Sequence, residues 1–192
     1  MHVLFAVIFM KVKPLLKDLY LYDDKGNLKN RITKGPWHVE EILKVDEKAR
    51  VIYFTANGKN KGENPYYEHL YRVNADGTGL KQITKGDFFH QTEVDDDARF
   101  VVDNYSRVNT IPTAVVLDNQ GNKVMDLQES DFSQLFANGY KFPELFTVKA
   151  ADGVTDLYGV MYKPTCNRKG LQNLLIREAM LFLHIAKHRG KH

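Results

Sequence analysis

Two segments of this chain repeat each other. Leu19–Gly35 reads LYLYDDKGNLKNRITKG and Leu70–Gly86 reads LYRVNADGTGLKQITKG, so the turn glycines Gly26 and Gly77 lie 51 residues apart, as do Ile32 and Ile83. A second pair is interleaved with the first: Val45–Tyr53 is VDEKARVIY and Val94–Val102 is VDDDARFVV. Self-similarity at this period, built from short β-type runs and tight turns, points to a β-propeller. Radial repeats bury their faces only against neighbours, so the stacking of successive repeats must supply the core.

The runs between the turns read as strands. Leu19–Tyr22 and Leu28–Thr33 flank an Asp/Lys/Gly/Asn cluster, the signature of a hairpin. Val39–Val45 and Ala49–Ala56 follow, and Val51–Phe54 is a continuous apolar run, as expected of a strand covered on both faces. Leu70–Val73 and Leu80–Thr84 make the next hairpin, and Gln91–Val94, Phe100–Tyr105, Ala114–Leu117 and Lys123–Leu127 complete a further cycle. Counted as four-stranded blades, 19–35 is the last half of one blade, 36–86 a whole blade and 87–128 another. Ser130–Asn138 reads as one or two helical turns, with Ser130 or Asp131 as N-cap and Gly139 as the stop. Strand character resumes over 141–165, around the turn at Asp152-Gly153. Leu171–His188 has rough helical spacing, and nothing in the repeat anticipates it.

The totals are those of an ordinary globular chain, 43% hydrophobic and 27% charged over 192 residues. The net charge of +3 is unevenly spread. Residues 1–17 hold three Lys and no acid, and 166–192 hold six Lys or Arg against Glu178, which leaves 18–165 at a net of −5. A nucleic-acid binder would carry its positive charge on the folded face, so no nucleic-acid partner is expected. No apolar run is long enough for a membrane helix. Met1–Leu16 has no basic segment before its apolar stretch and no small-x-small site after it, so it reads as an irregular or β-forming leader rather than a signal peptide. The single cysteine, Cys166, excludes an internal disulfide, which fits a reducing compartment and also a periplasm.

Four segments together resemble the last propeller blades of the dipeptidyl-peptidase IV family in the prolyl-oligopeptidase clan. They are ITKGPW (Ile32–Trp37), NADGTGLKQIT (Asn74–Thr84), NYSRVNTIP (Asn104–Pro112) and VKAADGVTDLYGVMYKPT (Val148–Thr165). The hairpin alone is common among propellers, whereas the order of all four is specific. The resemblance covers about 19–165 and implies a part of the propeller that gates and orients peptides, followed by the strands that open an α/β-hydrolase domain. It implies a periplasmic or secreted parent, a peptide substrate and no cofactor. The chain departs from the family in its chemistry. Its three serines are Ser106, Ser130 and Ser133, and none lies in a Gly-x-Ser-x-Gly turn. No catalytic residue is therefore assigned, no substrate-binding residue is named, and the chain alone is expected to be inactive.

Other residues invite functional readings. Glu40-Glu41 resembles the paired glutamates by which the family holds a substrate amine, but strand alternation would put the two on opposite faces. His38 with Glu40 and Glu41, or His90 with Glu93, makes no recognised metal spacing, and His90 reads as shielding the top of a strand. Asp95-Asp96-Asp97 lacks the alternation of a calcium loop and reads as a solvated turn. Tyr66-Tyr67 beside Pro65 reads as packed on a blade edge. No metal site is expected.

The expected organisation is all-β: a non-repeating leader over 1–18, about two and a half blades of a partial β-propeller over 19–145, the opening strands of a truncated hydrolase domain over 146–165, and a basic tail over 166–192 with a C-terminal helix. The tail either recruits a partner, as in a stand-alone small β-protein acting as an interaction module, or was never selected as protein. A truncated or frame-shifted gene product accounts for both non-repeating ends with one cause. Two and a half blades leave a face and an edge uncovered, so self-association is expected.

Overall fold

The computed structural model describes residues 6–13 and 16–163, with side chains described from Lys17 onward. The expected helix over 171–188 lies outside the described residues. The strands are β1 (Ala6–Lys13), β2 (Leu16–Tyr22), β3 (Leu28–Arg31), β4 (His38–Asp46), β5 (Val51–Asn57), β6 (Glu68–Asn74), β7 (Lys81–Gln82), β8 (Phe89–Val94), β9 (Phe100–Ser106), β10 (Thr113–Asp118), β11 (Lys123–Glu129), β12 (Glu144–Lys149) and β13 (Asp156–Met161). One short helix, α1 (Ser133–Ala137), lies between β11 and β12. Contacts divide the chain into two units. Among the described residues, those up to Arg107 together with Pro112–Ser130 form the first, and Val108–Ile111 with those from Asp131 onward form the second.

The first unit is a partial propeller. Its sheets are antiparallel meanders in the orders β1-β2-β3, β4-β5-β6-β7 and β8-β9-β10-β11, here the first, second and third blades. β1 pairs antiparallel along β2, from Ala6 opposite Tyr22 to Lys13 opposite Leu16. It takes the place that β5 has in the second blade, so the first blade has three strands rather than two.

Turn chemistry sets the hairpins. Asp23 Oδ1 accepts the amide hydrogens of Lys25 and Asn27 at 3.0 and 2.7 Å. Asp118 Oδ1 accepts those of Gln120 and Asn122, both at 2.8 Å. Such Asx turns offer the backbone a local partner and fix the strand register. The Asn27 side-chain amide and backbone N–H hold the Asp23 carboxyl down at about 2. The repeated Ile-Thr closes each hairpin in the same way. Ile32 N–H donates to Leu19 O and Ile83 N–H to Leu70 O, both at 2.8 Å. The Thr33 and Thr84 hydroxyls accept from Leu19 N and Leu70 N at 2.9 and 3.1 Å. These hydroxyls take the place of a backbone ladder partner beyond Arg31 and Gln82, and β7 covers only Lys81–Gln82 where the sequence predicts a strand over 80–84.

The blades stack through two apolar clusters. Leu19, Leu21 and Ile32 of the first blade pack with Val39, Ile52, Phe54, Tyr71 and Val73 of the second, with Trp37 among them. Val51, Tyr53, Leu70 and Ile83 pack with Ala98, Val101, Val115 and Leu117 of the third. β5 thus feeds alternate side chains to both seams and is buried on both faces, as its unbroken apolar run predicts. Polar bonds span the seams at matching places. Asn30 Nδ2 donates to Ala75 O, and Arg72 donates to Asn119 O, both at 3.2 Å.

The second unit contains α1 and the hairpin β12–β13. Asp131 is not the N-cap: its carboxylate accepts Ser133 N–H at 2.8 Å, while Phe132 holds the capping position without a side-chain bond. Gly139 does close the helix, with Gly139 N–H on Phe136 O at 2.9 Å and Tyr140 N–H on Leu135 O at 3.0 Å, a Schellman pattern. Phe132, Phe136, Tyr140 and Phe142 form an aromatic cluster around it. In the hairpin Phe146 lies opposite Gly159.

Candidate functional site

The seam between the second and third blades holds the densest group of buried ionisable side chains. β6 brings His69 to the end of the sheet nearest the 57–67 loop, where it is 2% exposed. Its Nε2 meets Glu63 Oε2 at 2.9 Å, and its Nδ1 meets Gln82 Nε2 at 3.0 Å and Thr84 Oγ1 at 3.2 Å. β8 brings His90 to the other side of the seam, 1% exposed, with Nδ1 at 3.0 and 2.9 Å from the two carboxylate oxygens of Asp103 on β9. The two rings lie 4.9 Å apart, and Phe88 and Tyr105 enclose His90. His90 therefore lies within the seam rather than shielding a strand top.

An imidazole held by a carboxylate through Nδ1, with Nε2 unbonded among the described residues, has two members of a hydrolytic triad. No described serine joins them. Ser106 ends β9 opposite Phe89, Ser130 follows β11, and Ser133 begins α1, and none of them hydrogen-bonds His90. His90 and Asp103 are both buried in the seam.

The remaining sequence candidates are placed as follows. A register shift between Val39 and Glu41 inserts Glu40 as an extra residue in β4, which breaks strict alternation at this point. Glu40 Oε1 accepts Asn57 Nδ2 at 2.8 Å and lies 3.6 Å from His38 Nε2, while Glu41 is exposed. Burial, reinforced by the Glu40 carboxylate and then by Glu41, pushes the Glu68 carboxyl above its usual range. The carboxylates of 95–97 have separate tasks. Asp95 accepts Arg99 N–H and Phe100 N–H at 2.6 and 2.8 Å, Asp96 meets Lys44 at 3.4 Å, and Asp97 meets Arg99 at 3.2 Å. Glu93 is exposed, on the β8 face opposite that of buried His90 and Thr92. Tyr66 is exposed and Tyr67 half-buried. Among the described residues no group of three His, Cys, Asp or Glu is placed to hold a metal, and no helix is long and apolar enough to cross a membrane.

Reading the sequence for chemistry misses Glu63, His69 and Asp103. The repeat contains the signal for His69. Asp18 lies 51 residues before it, is equally buried, and accepts the Thr33 hydroxyl at 3.0 Å and the Arg31 guanidinium. His69 with Thr84 and Gln82 is the same arrangement one blade on, with the ion pair exchanged for an imidazole–amide pair.

The family model described as the dipeptidyl peptidase IV (DPP IV) N-terminal region matches residues 7–112. The chain is 41% identical to dipeptidyl peptidase 4 of Arthroderma otae over 58 residues, which is 30% of this chain and 7% of that protein. It is 39% identical to dipeptidyl peptidase 4 of Trichophyton equinum over 56 residues, again 7% of that protein. Among solved structures, dipeptidyl peptidase 4 of Porphyromonas gingivalis superimposes with a TM-score of 0.67 at 20% identity, over 84% of this chain and 22% of that one. A putative dipeptidyl aminopeptidase IV from Bacteroides ovatus gives 0.64 at 21% identity, over 83% and 24%. The chain thus spans less than a quarter of the length of each of these relatives.

Proposed function

Because the chain belongs to the family of dipeptidyl peptidase IV N-terminal regions, we propose that its blades form part of a propeller that gates and orients peptides for a prolyl-specific serine exopeptidase. One observation carries this reading: the family match over 7–112 takes in β1 through β9, the stretch in which three sheets stack as successive blades. On this reading 19–145 is propeller and 146–165, with the hairpin β12–β13, opens a hydrolase domain. The blades supply shape and access, and acyl transfer belongs to the hydrolase domain. The purified chain is expected to release no product from Xaa-Pro chromogenic dipeptides, because no described serine is joined to an imidazole. Turnover abolished by a serine-directed covalent inhibitor would contradict this assignment of roles.

The reading extends to the outer face of the third blade. By the repeat, Phe100, Val102, Ala114 and Leu127 stand where Val51, Tyr53, Leu70 and Ile83 stand in the second blade. Those four are 5%, 3%, 0% and 0% exposed, whereas Phe100 is 42% and Leu127 48% exposed. A face built to take another blade favours self-association with a second copy. Sedimentation is expected to show oligomers that grow with concentration and bind an apolar-surface dye. A single monomeric species that ignores the dye at all concentrations would contradict this.

A further inference from the structure

The His69 imidazole cannot accept a second proton without losing its Gln82 partner. The Glu63 carboxylate only accepts, so His69 Nε2 carries the hydrogen of that 2.9 Å bond. The Gln82 amide nitrogen only donates, so His69 Nδ1 is the acceptor at 3.0 Å. Gln82 cannot turn over to relieve this. Its Oε1 accepts the Tyr71 hydroxyl at 3.2 Å, and its amide nitrogen also donates to Thr84 O at 3.0 Å. A proton on Nδ1 would therefore break the Gln82 bond and leave only the longer 3.2 Å contact with Thr84 Oγ1 as an acceptor. On His90 the Asp103 carboxylate fixes the hydrogen on Nδ1, while buried Nε2 has no hydrogen-bond partner among the described residues. The rings are 4.9 Å apart, so charge on one opposes charge on the other.

We propose that His69, stacked on His90, is an acid-sensitive latch: with its imidazole neutral the seam between the second and third blades is closed, and protonation of His69 opens it. This stands apart from the proposed peptide-gating role. The groups that face the pair are Glu63 from the 57–67 loop, Gln82 and Thr84 from the β7 end, Tyr71 from β6, and Asp103 and Tyr105 from β9. The Arg107–Asp87 pair lies just beyond, with Arg107 over the Phe88 ring. Glu63 and Asp103 favour a charged His69, and burial and His90 oppose it. Burial is the largest of these and holds the His69 imidazole below its usual range. The unfolded chain takes up this proton near the ordinary value of about 6.5, and the folded chain only at lower pH. The seam is therefore fully stable above that value, and the stability is lost as pH falls through it toward the folded value.

Urea unfolding of the whole chain over a series from about pH 7.5 to about pH 5 tests the latch. The midpoint is expected to fall with pH. In His69→Gln, which keeps a donor toward Glu63 but cannot titrate, the fall is expected to be roughly halved or less. An undiminished fall in His69→Gln overturns the proposal. If that variant does not fold at neutral pH, the imidazole titration of the unaltered chain decides by nuclear magnetic resonance. A His69 resonance titrating below the ordinary imidazole range supports the latch, and one at or above that range overturns it.

Discussion

Gly121→Ala is expected to lower the urea midpoint more than the same change at either equivalent glycine. Gly26, Gly77 and Gly121 occupy the same turn position in successive blades, with φ of +81°, +87° and +82°. Alanine is strained by a similar amount in that region at each site, about 1–2 kcal/mol. The space around them differs. A Cβ on Gly26 would meet nothing within 4 Å, one on Gly77 would lie 3.0 Å from the Ile32 carbonyl oxygen, and one on Gly121 would lie 2.4 Å from the Ile83 carbonyl oxygen. Ile32 and Ile83 are the repeated isoleucines of the preceding blade, so each turn rests on its neighbour's backbone. Backbone cannot move aside as a flexible side chain can. Gly26→Ala is therefore expected to lose only the turn strain, Gly77→Ala somewhat more, and Gly121→Ala about 3 kcal/mol or more. Equal losses at all three sites would show that the turns matter only for their conformation and not as inter-blade contacts.

The repeat made the blades legible because the same physics is written several times over. The Asp-to-Gly turns, the Ile-Thr closures and the alternating strand faces each recur with a fixed offset, and each corresponds to a bond or a buried side chain. β1 was not legible. Its residues AVIFMKVK lack the turn signals that mark the other strands, and only its pairing with β2 puts it in a blade. The buried polar groups were hidden for another reason. A histidine or aspartate in a strand looks solvent-facing until the neighbouring blade is in place, and the covering residues lie far away in sequence. Glu63 reaches His69 from a loop that reads as plain polar linker. The insertion of Glu40 is equally silent, because a bulge changes the pairing and not the composition.

Trp37→Ala is the second change expected to have a large effect. The chain's single tryptophan follows the inter-blade turn and folds back against it, with Nε1 donating to Lys34 O at 3.3 Å. Its ring is 6.0 Å from Phe54 and 5.7 Å from Tyr71, and those two are 5.8 Å apart, so three aromatic rings form one buried group. Leu19, Leu21 and Ile32 of the first blade close over them. Removing an aromatic side chain buried to 4% exposure loses its transfer energy and leaves a cavity, together about 3–5 kcal/mol. Phe88 holds the same place after the next turn but is only half-buried, so Phe88→Ala is expected to lose clearly less. The loss at Trp37 should also be local in origin. The first blade is held to the second through this cluster, so amide exchange in β2 and β3 should quicken before that in β5 and β6. Unfolding followed by far-UV circular dichroism, with hydrogen exchange on the same variants, measures both effects. A Trp37→Ala chain as stable as Phe88→Ala, with β2 exchanging no faster than β5, would show that the first blade is held by its hydrogen bonds and not by the aromatic group.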